Sequence, residues 1–116
     1  MEISKDTREK IEQLQLLEQN LQTFMTQKQN FQSQLLEAEN ASNELNKSEG
    51  KVFKIAGNIM VESSKEKIEE SLKSEKEILE LRLKNIKKQE TALKEKAESI
   101  QSEVMKEFEG HDGNTD

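Results

Sequence analysis

The chain has 116 residues, of which 31% are hydrophobic and 36% charged, with no Pro, Cys, Trp or Tyr and a formal net charge of −6. That is too little apolar side chain to fill the thick core of a globule of this size, which leaves disorder or long helices burying a narrow stripe. The negative sign removes the usual electrostatic drive toward phosphate backbones and anionic membranes. No apolar run approaches the roughly 20 residues that span a bilayer, and the start Met1-Glu2-Ile3-Ser4-Lys5 lacks the basic and apolar stretches of a secretion signal. The expectation is a cytoplasmic protein with no nucleic-acid and no membrane partner.

The four glycines fall in two places, Gly50 and Gly57 in the middle and Gly110 and Gly113 in the tail. Gly costs a helix interior about 1 kcal/mol relative to Ala. The stretches between them therefore predict helices over about 4–47 and about 64–108, each roughly 65 Å long at ~1.5 Å per residue, with a disordered tail over 109–116. In the first helix Leu14, Leu17, Leu21, Phe24, Lys28, Phe31, Leu35, Ala38, Ser42 and Leu45 are spaced alternately by three and four residues, the heptad pattern of a coiled-coil seam. The second helix repeats it with Leu72, Lys76, Leu79, Leu83, Ile86, Glu90, Leu93, Ala97, Ile100 and Val104. Eight of the ten positions are apolar in each, which argues against disorder. Pairing residues whose numbers sum to about 114 sets Leu14 against Ile100, Leu17 against Ala97, and Leu35 against Leu79, as an antiparallel hairpin of helices requires. Lys28 falls one layer from Glu90, a diagonal pairing suited to fixing register.

Between the helices, about 51–62, the segment from Lys51 to Glu62 is rich in β-branched and large apolar residues, and Gly57-Asn58 suits a two-residue turn. The expected pairs are Ala56–Ile59, Ile55–Met60, Lys54–Val61 and Phe53–Glu62. Ser63 and Glu66 have the spacing of a capping box for the second helix. Such a hairpin carries apolar side chains on both faces: Val52, Ala56, Ile59 and Val61 on one, Phe53, Ile55 and Met60 on the other. A lone two-stranded hairpin is marginal in water and leaves two strand edges unpaired. These seven residues are therefore the expected oligomerisation surface, through a sheet or barrel shared between chains.

The chemistry-bearing residues are few. His111 is the one histidine, with no Cys to join it in a metal site, and the carboxylates read as solvated helix faces, with Glu69–Lys73, Glu80–Lys84 and Glu90–Lys94 at favourable four-residue spacing. No Gly-rich phosphate loop occurs. No catalytic residue, no metal and no cofactor are expected; this is not an enzyme. Toward the free helix ends the register sets Lys10 against Val104 and Thr7 against Glu107, so the apolar seam is expected to fail there. Ile3, Ile11, Leu16, Val104, Met105 and Phe108 are then left without clear partners in the hairpin, and form the expected client-binding surface, an adaptable apolar tip in which the flexible Met105 can fit varied partners.

The sequence resembles the prefoldin family, specifically the short archaeal β-subunit type. The likeness covers nearly the whole chain and rests on Gln27-Lys28-Gln29, on the hairpin from Val52 to Val61, and on Lys65-Glu66-Lys67 with the heptads that follow. Asn58 and Met60 stand where the family pattern favours apolar or Thr residues. The resemblance implies a mainly α fold, two long antiparallel coiled-coil helices joined by one β-hairpin within a single domain over 1–116, oligomerising through the hairpins. It further implies an α2β4 hexamer with a prefoldin α subunit, and an ATP-independent holdase whose helix tips bind unfolded clients and deliver them to a group II chaperonin. The alternative is a structural coiled-coil scaffold or tether that holds no unfolded chain.

Overall fold

The computed structural model describes residues 3–115, with side chains over 3–109. The order of elements is α1 (Lys5–Lys47), β1 (Val52–Ala56), β2 (Ile59–Ser63) and α2 (Lys65–Thr115). The fold is the expected one, mainly helical with one antiparallel hairpin between two long helices. Every predicted seam position of α1 and α2 is buried or half-buried, while most positions between them face solvent. A period of 3.5 residues keeps one stripe of each helix turned inward, so a chain with so few apolar residues can still bury or half-bury most of its leucines. The second helix passes Phe108, where the tail glycines predict its end, and reaches Thr115. Glycine taxes a propagating helix but does not by itself stop one. The side chain of His111 lies outside the described residues.

The chain forms two compact units, one of the residues up to Gln27 and from Ile86, the other of Lys28–Asn85. In the first, Leu17, Ile100 and Val104 make a buried cluster, with Ile11, Leu14, Leu93, Ala97 and Phe108 packed against it. Glu90 is buried there too, and its carboxylate meets the Lys94 ammonium at 3.3 Å, one helical turn away. In the second, Ala38, Leu45, Leu79 and Leu83 are the buried apolar residues. The Arg82 guanidinium sits 5.8 Å from the centre of the Phe31 ring, covering an aromatic seam residue from outside.

The hairpin pairs Val52 with Ser63, Phe53 with Glu62, Lys54 with Val61, Ile55 with Met60 and Ala56 with Ile59. Gly57 takes φ +63° and Asn58 stays at negative φ, the sign pattern of a type II′ turn, whose twist matches that of the strands. Pairing through Ser63 carries β2 one residue further than the capping box allows. The cap of α2 is Ser64, whose Oγ accepts the backbone N–H of Lys67 at 3.2 Å. The residue three beyond Ser64 is Lys67, not a carboxylate, so the reciprocal half of the expected box does not form.

Candidate functional site

Two surfaces stand out from the helical frame. The first is the hairpin. Because strand side chains alternate between faces, the pairing above separates Val52, Lys54, Ala56, Ile59 and Val61 from Phe53, Ile55, Met60 and Glu62. Phe53, Ile55, Ile59, Met60 and Val61 are between 45% and 71% exposed. Ala56 is exposed as well, and Val52 is half-buried. Beside Phe53 a shallow groove runs onto α2, lined by Ile68, Ser71 and Leu72. Lys51 and Glu62 form a loose ion pair at 3.9 Å across the hairpin; both are solvated, so it contributes little.

The junction into the hairpin is held by a residue whose role periodicity does not reveal. Lys65 Nζ donates to the carbonyl oxygens of Asn46 and Ser48, both at 3.3 Å. These are among the unpaired carbonyls at the C-terminal end of α1, where a cation is favoured by the helix dipole. Ser48 completes the stop: its N–H donates to the Glu44 carbonyl at 3.0 Å and its hydroxyl to that of Leu45 at 3.1 Å. Gly50 then turns the chain at φ +96°, a conformation that a Cβ would strain.

The second surface lies at the N-terminal turns of α1 and residues 103–109 of α2. Here the seam does not fail as the pattern of apolar residues predicts. Thr7 is 1% exposed and Val104 6%, and Ile11 and Phe108 are half-buried against the core cluster. A polar network takes over where leucines end. Ser4 caps α1, accepting the Thr7 N–H at 3.1 Å, and its hydroxyl donates to the carboxylate of Glu107 on α2. The hydroxyls of Ser4 and Thr7 lie 2.9 Å apart. With the Ser4 proton committed to a carboxylate, which only accepts, Thr7 is the donor between them. Thr7 is thus buried with its polar atoms satisfied, which is why a residue of its type can sit in a seam. Lys10 adds a second bridge, 3.1 Å from Asp6 and 3.5 Å from Glu103. The hydrogen bond to Asp6 raises the Lys10 ammonium above its ordinary value; desolvation opposes it, and the charges of Asp6 and Glu103 and a hydrogen bond to Glu103 add to the rise.

The six residues expected to meet clients therefore divide. Leu16 and Met105 are 57% and 53% exposed and Ile3 is also at the surface, whereas Ile11, Val104 and Phe108 have partners within the helix pair. Among the described residues no cluster of His, Cys, Asp and Glu could hold a metal, and no helix is long and apolar enough to cross a membrane.

A family model described as "Prefoldin subunit" matches residues 8–111. The chain is 33% identical over 110 residues to a prefoldin subunit beta of Methanospirillum hungatei, covering 93% of this chain and 92% of that protein. It is 34% identical over 97 residues to that of Archaeoglobus fulgidus, with coverage of 82% and 84%. Among solved structures, the prefoldin beta subunit from Thermococcus strain KS-1 superposes with a TM-score of 0.85 at 31% identity, covering 90% of this chain and 94% of that one. The beta2 subunit of the same strain shares the fold at a TM-score of 0.68 and 21% identity, over 75% and 95% of the two chains.

Proposed function

This chain belongs to the prefoldin family of chaperone subunits, and we propose that it acts as the β-type subunit of an ATP-independent holdase in the cytoplasm. The observation that carries the proposal is the hairpin: five large apolar side chains, in a defined register, stand exposed on a two-stranded sheet with free edges. Such a surface is stable only when covered. Hairpins of neighbouring subunits cover it, through Val52, Phe53, Ile55, Ala56, Ile59, Met60 and Val61, in a hexamer of two α and four β chains.

The helix ends bind unfolded clients and pass them to a group II chaperonin. Each contact is weak, since burying one large apolar side chain is worth about 1.5–3 kcal/mol before ordering costs. Several copies acting on one client multiply that affinity without any new contact, and no nucleotide is consumed because holding is an equilibrium. The test is suppression of aggregation of chemically denatured citrate synthase by the assembled complex. Replacing the exposed Ile3, Leu16 and Met105 together by Ser should cut holding several-fold while native mass stays that of the parent. Undiminished holding in that variant would remove the client site from these residues; a parent complex that suppresses no aggregation would point to a scaffold instead.

A further inference from the structure

The polar network at the helix ends has a role beyond capping. We propose that Ser4, Thr7, Lys10, Glu103 and Glu107 form a clasp that holds the helix ends shut over apolar surface, so that opening the clasp, and not its rest state, presents that surface to an unfolded chain. This rests on the proposed client site at the helix ends. Three of the residues with the right chemistry for a client, Ile11, Val104 and Phe108, are already packed against Leu17 and Ile100. Next to them the links that cross between the helices are polar: the Ser4 hydroxyl on Glu107 and the Lys10 ammonium on Glu103 at 3.5 Å. The Lys10 bridge lies in partly solvated surroundings, where an ion pair contributes little. Thr7, though buried, brings only a methyl group to the seam. Leucines in the same positions would close the ends far more firmly. A closure built from weak, exchangeable polar links at the last turns, beside buried apolar side chains, has the makings of a two-state element.

The consequence is quantitative. A client that binds only the open form sees its affinity reduced by the open fraction, so loosening the clasp strengthens holding and locking it weakens holding. The chain has no cysteine, which permits a clean lock. In the assembled complex, Thr7→Cys with Glu107→Cys is closed by oxidation or by a short bismaleimide, closure being read as loss of free thiol. The loosened variant is Lys10→Ala with Glu107→Ala. The lock should lower holding of denatured citrate synthase at least fivefold, with recovery when an oxidised pair is reduced. The loosened variant should raise holding about threefold and speed hydrogen exchange at the amides of Ile11, Val104 and Phe108. If both variants hold like the parent while the Ile3, Leu16, Met105 triple variant does not, the client site stands and the clasp is refuted. Should the triple variant also hold like the parent, the client site itself is misplaced and the clasp gates nothing. If the cysteines fail to close, the loosened variant decides alone: unchanged exchange and unchanged holding overturn the inference.

Discussion

Ile59→Asp separates assembly from folding. Ile59 is 64% exposed and pairs with Ala56 at the turn, so within one chain the substitution removes little packing, and the helices should keep their content and melting temperature to within a degree or two. In an assembled sheet the same position loses the transfer free energy of its exposed part. That is about two-thirds of the 1.5–3 kcal/mol for a large apolar side chain, or roughly 1–2 kcal/mol. Burying a carboxylate adds several kcal/mol more, lessened by whatever water reaches it. A total of about 4 kcal/mol per interface corresponds to roughly a thousandfold weaker association. Native mass measurement across a dilution series, on this chain alone and mixed with a candidate α subunit, reads the change, and circular dichroism reads the fold. An Ile59→Asp variant that assembles at the parent's concentration refutes the hairpin as the assembly surface. One that loses its helices as well refutes the separation of the two roles.

Three further outcomes follow from particular contacts. Ser64→Ala should cost about 1 kcal/mol in urea unfolding through loss of the α2 cap, whereas Ser63→Ala should be nearly neutral; the reverse order would restore the cap to Ser63. Lys65→Met should lower stability by about 0.5–1.5 kcal/mol, because two carbonyls at the end of α1 lose a charged donor, and the loss should shrink when the unfolding is repeated in high salt. Leu79→Ala, at a seam position only 3% exposed, should cost about 2–3 kcal/mol by denaturant titration, the low end for leucine because a two-helix seam can relax around the gap. A cost below about 1 kcal/mol would mean that the seam is not what holds the helices together.

The parts of the fold that depend on repetition were legible in the sequence. Alternating three- and four-residue steps picked out Leu14 through Leu45 and Leu72 through Val104, and the sides of the helices that carry them are the buried ones. The hairpin register was equally legible, since Gly57-Asn58 fixes the loop length and the pairs then follow. What stayed hidden are contacts made by polar atoms. Periodicity scores Thr7 as a break in the seam, because it cannot see that Ser4 and Glu107 satisfy the hydroxyl network around it. Once Thr7 is scored as a break, Ile11, Val104 and Phe108 look partnerless, yet they pack in the apolar cluster around Leu17 and Ile100. The misplaced cap at Ser63 has another cause: one further residue of strand pairing consumes it, and the end of a strand leaves no periodic trace. Lys65 reaches carbonyls 17 and 19 residues earlier in the chain, a distance at which composition carries no information.

The cluster of Leu17 with Ile100 and Val104 also sets an order of events at the ribosome. Leu17 finds its partners only after the whole hairpin and most of α2 have been made. At about 5–20 residues per second, Leu17 waits roughly 4–17 s for Ile100 to be synthesised. Throughout that interval the leucines and phenylalanines of α1 have no seam to enter, and a nascent chain in that condition is exposed to its neighbours on the same message. Between residues 12 and 46 the segment carries one basic residue, Lys28, against five glutamates. That excess of one sign makes copies of the unpaired helix repel one another, which protects the half-made protein during the one period when its own hairpin cannot.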